Sequence, residues 1–258
     1  MRRALLAAAL TAIAVTASAQ SPAPSDARRS GTAFMGPALQ EMQRDDASNP
    51  GMLWVADGEA LWQRKAGDAD RACADCHGDA KVSMRGVAAR HPAWDAAASR
   101  PVALADRIEA CRVRHQRAAP LGAESGTRLA LETWVAFQSR GLPIAPPADP
   151  RLAPSFFAGE RLWQRPMGQL DLACTQCHDA RAGQRLAGSR IPEAHPTGYP
   201  IYRLEWQGQG SLARRIRGCM TGVRAEPFAD GAIETVELEL FLKQRAAGLL
   251  METPAVRP

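Results

Sequence analysis

Cys73-Ala74-Asp75-Cys76-His77 and Cys174-Thr175-Gln176-Cys177-His178 repeat one pattern at a separation of 101 residues, and that pattern limits what the chain can fold around. Cys-x-x-Cys-His is the attachment signature of c-type haem: both thiols add to the vinyl groups as thioethers, and the adjacent histidine turns inward as an iron ligand. Two copies predict two covalently bound haem c groups, carried by Cys73, Cys76, Cys174 and Cys177, with His77 and His178 as axial iron ligands. A dithiol redox site or a zinc site fits less well. The histidine follows directly in both copies, and the spacings do not complete a four-ligand zinc cluster.

The repeat extends beyond the motifs. Gly58-Glu59-Ala60-Leu61-Trp62-Gln63-Arg64 matches Gly159-Glu160-Arg161-Leu162-Trp163-Gln164-Arg165, and 12 of the 21 positions from Gly58 to Gly78 are identical at this offset. Further on, His91-Pro92 corresponds to His195-Pro196 at an offset of 104, and 104–111 to 212–219 at 108. A self-match of this kind marks an internal duplication. Each copy reads as a lead helix, a haem motif, a ligand loop and a closing helix. The closing patterns run over about Thr127 to Arg140 and Ile233 to Ala247, stopped by Gly141 and Gly248. That order is the order of a small class I cytochrome c domain. The expected fold is therefore mainly α: two tandem class I cytochrome c-like domains arising from an internal duplication, over 51–142 and 155–258. A stiff proline-rich linker at 143–154 joins them.

Ahead of the repeat, Arg2 and Arg3 precede an apolar run from Ala4 to about Val15, followed by the small-x-small site Ala17-Ser18-Ala19. Residues 1–19 thus read as a secretory signal peptide, too short for a comfortable transmembrane helix. Export suits haem attachment outside the cytoplasm, and the expected location is the periplasm with no membrane insertion after cleavage. Residues 20–50, rich in Ser, Pro, Asp and Arg with little periodicity, read as a loosely ordered arm. Removing Arg2 and Arg3 with the signal takes the formal charge from +5 to +3, which the propionates of two haems offset. The arginines are scattered rather than interleaved with aromatics, so no nucleic-acid partner is implied.

Four of the six cysteines go to thioether bonds, leaving Cys111 and Cys219 at equivalent places in the two copies. A disulfide between them is the ordinary fate of two spare thiols in an oxidising compartment. The duplication favours axial ligation instead, because equivalent positions should each face their own haem, and a bridge needs Cα atoms within about 7 Å. Thiolate is a strong donor to iron. Other candidate ligands are Met84, Met167, Met220, His91, His115 and His195; only His91 and His195 repeat, and each serves equally well as a loop residue bonding a propionate or a carbonyl. Arg214, Arg215, Arg217 and Arg224 surround Cys219, whereas Asp106 and Glu109 dilute the charge around Cys111. If 212–219 is helical, Arg215 sits one turn from the Cys219 sulfur, and a planar fork of donors suits an oxyanion.

Taken with Asn49-Pro50-Gly51-Met52-Leu53, the run His195-Pro196-Thr197-Gly198-Tyr199-Pro200-Ile201-Tyr202-Arg203-Leu204-Glu205-Trp206-Gln207 and Val223-Arg224-Ala225-Glu226-Pro227, the chain resembles the SoxA family across essentially its whole mature length. These are dihaem cytochrome subunits of SoxAX complexes, known as L-cysteine S-thiosulfotransferases. The resemblance implies oxidative conjugation of thiosulfate to a cysteine of the SoxY subunit of a SoxYZ carrier. It implies Cys219 as axial ligand of the second haem and as the catalytic cysteine, carried as a persulfide. It also implies Arg215 as the substrate-binding arginine, Cys111 as axial ligand of the first haem, and a monohaem SoxX subunit as heterodimer partner. The alternative is a dihaem electron-transfer protein without catalysis of its own. A dihaem peroxidase needs an open iron site, which two cysteine-ligated haems argue against.

Overall fold

A computed structural model describes residues 27–258; the expected signal peptide, 1–19, lies outside the described residues. The chain opens with α1 (Pro37–Arg44), α2 (Gly51–Gln63) and the short α3 (Ala74–His77) and α4 (Ala80–Ser83). A hairpin, β1 (Ala93–Asp95) and β2 (Arg100–Val102), then leads to α5 (Leu104–Cys111) and α6 (Gly126–Phe137). The second half follows with α7 (Ala153–Gln164), α8 (Cys174–His178), β3 (Arg185–Leu186), β4 (Ser189–Arg190), β5 (Ile201–Arg203), β6 (Gly208–Gly210), α9 (Leu212–Gly222), α10 (Ile233–Arg245) and β7 (Ala255–Arg257). Polar side chains start several helices by accepting from orphan backbone N–H groups. Asn49 accepts from Gly51, Ser125 from Arg128 and Ser211 from Arg214.

Each half is built on one helix crossing, α2 on α6 and α7 on α10. Both crossings need a glycine in the lead helix. A Cβ at Gly58 would lie 2.1 Å from the Ala130 carbonyl oxygen, and one at Gly159 would lie 2.0 Å from that of Glu237. Around the first crossing pack Val55, Trp62, Leu104, Trp134 and Val135; around the second, Leu162, Trp163, Leu212, Ile216 and Phe241.

Two regions differ from the sequence expectation. The described part of the 20–50 arm is ordered: Pro37 starts α1, which packs on β7, Asn49 Nδ2 donates to the Pro254 carbonyl (2.9 Å), and Arg28 donates to the carbonyls of Arg245 and Ala247. Its polar side chains, read as solvated, are spent on backbone groups of residues far along the chain. The linker is equally tied down. Ile144 is buried and exchanges backbone hydrogen bonds with Gly248 and Leu249 (both 2.8 Å), while Ala145 donates to Ala89. Residues Ala246, Leu249 and Met251 thereby enter the core of the first half. The boundary at 143–154 separates two helix crossings without separating two cores.

A cavity of about 110 Å³ lies between the halves, lined among others by His91, Glu132, Tyr199, Glu239 and Lys243. Glu132 and Glu239 stand at matching places, each two residues beyond the carbonyl that meets the crossing glycine. Burial, then the charge of Glu239, pushes the Glu132 carboxyl up to about 8. Burial pushes Glu239 up to about 7 against the pull of Lys243, whose own ammonium is lowered by burial.

Two outcomes follow from this architecture. Gly159→Ala forces α7 and α10 apart and lowers stability by about 1–3 kcal/mol in denaturant unfolding. Gly188→Ala, with nothing within 4 Å of its Cβ, stays within about 0.5 kcal/mol. Both buried glutamates hold their proton more tightly folded than unfolded, so the stability they contribute is complete below their ordinary pKa and is lost as pH rises through 7 to 8. Glu132→Gln, which carries no charge to strand, should unfold at a higher temperature than the native chain at pH 9, with the difference shrinking steadily toward pH 5.

Candidate active site

The two haem motifs are held by matching devices. In the second, the Ala173 N–H closes the turn onto Gln176 Oε1 (2.6 Å); in the first, Ala72 does so onto Asp75 Oδ2 (2.8 Å). Trp163 donates from its indole to Asp179 Oδ2 (3.0 Å) and lies 5.7 Å from the His178 ring. Trp62 donates to the Gly78 carbonyl (2.9 Å) and lies 5.8 Å from His77. Only the second motif adds a further restraint: His178 Nδ1 donates to the Pro192 carbonyl (2.7 Å). That bond fixes the tautomer and leaves Nε2 with the lone pair a metal needs. Arg245 completes the support, bonding Asp179 Oδ1 (2.7 Å) and lying 4.7 Å from the Trp163 ring centroid.

Cys219 comes to His178 from α9, with Arg215 one turn earlier on the same face, as the spacing predicted. Burial pushes the Cys219 thiol up, but the hydrogen bond with His178 and the charges of Arg215 and Arg203 outweigh it, and the net direction is down. Cys174 adjoins the same sulfur, and burial pushes its thiol up to about 11. Cys174, Cys177, His178 and Cys219 thus bring together two thiols for thioether bonds and one nitrogen and one sulfur for the iron. This donor set fits a covalent haem. The Arg215 guanidinium makes no hydrogen bond or ion pair with any described residue.

The first site is electrostatically different. Cys111 adjoins Cys73 and Cys76, but burial pushes its thiol up, and the charges of Arg107 and Arg114 do not overcome it. Asp95 adds to the effect of burial: it is only 2% exposed, and its carboxylate takes Arg107 at 2.9 Å and Arg114 at 3.9 Å. Backbone N–H groups of Ala98 and Ala97 hold Asp95 ionised. At Cys219 the hydrogen bond with His178, then the charge of Arg215, tips the balance the other way.

All six thiols are free, so Cys111 and Cys219 form no disulfide. Among the described residues no group of three or more His, Cys, Asp or Glu is arranged to hold a bare metal ion. His91 Nδ1 donates to the Val87 carbonyl (2.9 Å) and His195 Nδ1 to that of Arg29 (2.8 Å), the loop role foreseen for them. Met84 and Met167 pack against the two cores, Met220 is buried in the second, and His115 is exposed. Missing from the sequence reading as site residues are Arg203 and Tyr199, both near enough to Cys219 for their charges to interact. Tyr199 falls where the repeat offset jumps from 104 to 108, and Arg203 stands 108 beyond Asp95, a residue of opposite charge, so the repeat marks neither as a shared site residue.

A helical chain that presents a Cys-x-x-Cys-His turn, a carbonyl-fixed imidazole and an opposing thiol is a c-type cytochrome with covalent haem c. Residues 57–144 match the family model for the SoxA/TsdA cytochrome c domain. A protein of Pseudaminobacter salicylatoxidans named L-cysteine S-thiosulfotransferase subunit SoxA is 36% identical, over 91% of this chain and 82% of its own. Its namesake from Rhodovulum sulfidophilum is 32% identical over 90% and 81%. The crystal structure of SoxXA from P. pantotrophus superposes with a TM-score of 0.86 at 29% identity, covering 90% of this chain and 87% of the other. The chain belongs to the SoxA family.

Proposed function

We propose that this chain is the thiosulfate-conjugating subunit of a periplasmic, heterodimeric sulfur-oxidising cytochrome. In this reading it consists of two tandem class I cytochrome c-like domains descended from one. It binds two haems, through Cys73, Cys76 and His77 with Cys111, and through Cys174, Cys177 and His178 with Cys219. The matching glycine crossings, indole bonds and motif turns of the two halves support common descent. The SoxXA complex of the neighbouring structure supports a monohaem SoxX partner.

The observation that carries the function is the pairing of a thiol biased toward thiolate, Cys219, with an arginine one turn away that no other residue occupies, Arg215. Conjugating thiosulfate to the carrier thiol is an oxidation: one S–S bond forms between the SoxY cysteine and the outer sulfur of thiosulfate, one proton leaves the thiol, and two electrons leave the pair of sulfurs. A haem c supplies the acceptor for those electrons, which SoxX then removes. The protein's own residues do the rest. Arg215 holds the sulfonate end through a fork of N–H donors. Cys219, carried as a persulfide, offers an outer sulfur that joins the outer sulfur of thiosulfate as two electrons leave, and that departs again as the persulfide when the carrier thiolate takes over that bond. His178 is held in one orientation by Pro192, and the Trp163–Asp179–Arg245 cluster walls the site.

Mass spectrometry of the mature protein should show two haem adducts and an additional mass of about 32 Da, one sulfur atom, on the peptide bearing Cys219. Cys219→Ala should keep both covalent haems and lose conjugation of thiosulfate to the carrier by about three orders of magnitude or more. Conjugation at an undiminished rate in that variant points instead to a plain electron carrier.

A further inference from the structure

Resting on the reading of Cys219 and Arg215 as the thiosulfate site, we propose that Arg203 is a second cation of that site, so that two guanidiniums receive the substrate and select for doubly charged anions. Arg203 ends β5, in register with Gly208 of β6 on one side and Arg257 of β7 on the other. It is 9% exposed, and its Nε, fully buried, makes no hydrogen bond. Its one carboxylate neighbour is Glu205, whose Oε1 lies 2.8 Å from that Nε without the alignment of a hydrogen bond and whose side chain is 51% exposed. Arg257, by contrast, is satisfied by Glu252 (3.2 Å) and by Gln43.

What faces Arg203 makes this placement costly without a ligand. The charges of Arg203 and Arg215 repel one another, and both are felt at Cys219. Arg203, 9% exposed, has one solvent-facing carboxylate partner and is repelled by Arg215, so an anion entering beside both offsets a charge that the protein balances only in part. The surroundings hold the geometry rather than relax it. Trp206 presents its ring to Arg203 (5.1 Å) and to Arg214 (4.0 Å). The ring can lie there because residue 210 is glycine: a Cβ would stand 2.3 Å from it. Both arginines are thus stacked in place. A site with Arg215 alone would prefer a dianion to a monoanionic sulfonate of the same shape by the attraction of one cation only. With Arg203 added, the one sulfonate end of thiosulfate meets two forks of donors while its outer sulfur is left free to react, and the advantage of a second negative charge grows.

The test uses the haem-loaded heterodimer with its carrier and two tetrahedral inhibitors of similar size, sulfate and methanesulfonate, which differ by one charge. In the native complex sulfate should compete with thiosulfate at a concentration about tenfold or more below methanesulfonate, the factor expected of one further charge-assisted pairing. Arg203→Gln should raise KM for thiosulfate by about tenfold or more, change kcat less, and cut the preference for sulfate by about tenfold. Arg203→Lys, which keeps the charge, should retain that preference. Equal inhibition by the two anions in the native complex, or an undiminished sulfate preference in Arg203→Gln, overturns the proposal. Should Arg203→Gln fail to assemble, the native comparison still decides. Calorimetric titration of the oxidised heterodimer with each anion reads the same preference without turnover. A complex that discriminates by charge yet conjugates no thiosulfate leaves Arg203 in place and removes the function on which it rests.

Discussion

The close approach of α7 to α10 at Gly159 governs the second half of the molecule. With a peptide carbonyl occupying the volume of a side chain, the helices meet backbone to backbone, and everything one turn further along is positioned by that contact. Trp163, four residues beyond Gly159, is carried against Phe241 (6.0 Å) and over His178 (5.7 Å). Its indole N–H then anchors Asp179, and Asp179 anchors Arg245. Packing thus becomes the orientation of an imidazole within two side chains. The first half repeats the logic from Gly58 through Trp62 to His77, which is why one sequence signature can serve two sites.

Similar scaffolds have been given opposite electrostatics. In the first half a buried carboxylate, Asp95, absorbs two arginines beside Cys111; in the second, Arg203 and Arg215 keep their charge directed at Cys219. A thiol whose neighbouring guanidiniums are paired with a carboxylate stays protonated, whereas one bonded by an imidazole and flanked by guanidiniums is biased toward thiolate. The difference resides in a few side chains on β1, β5 and the helices that follow, so chemistry has diverged while the packing has not.

Much of this was legible in the sequence because haem attachment and helix packing leave local, periodic marks. The motif cysteines and histidines, the lead and closing helices, and Arg215 one turn from Cys219 all follow from spacing. Arg203 and Tyr199 did not stand out, since one lies on β5 and the other just before it, well before Cys219 in sequence, and the first half holds Asp95 where Arg203 stands. The ordering of 28–49 was hidden for a different reason. Ser30, Gln43 and Asn49 look like solvated loop residues until their partners, Glu252, Val256 and Pro254, are known to lie beside them. Contacts separated by two hundred residues have no signature in composition.

The pairing of Ile144 with Gly248 and Leu249 joins segments that belong, by repeat, to different halves. With Ala246 and Met251 filling the core beneath Trp134, the first helix crossing is finished by residues that follow the second. Cutting at the linker would therefore not release two working modules; it would leave the first with an open core. The two halves stand or melt together, and fluctuations that loosen one are transmitted to the other as a loss of packing. This interlock acts as a strut: it turns a hinge-like tandem arrangement into a single rigid frame.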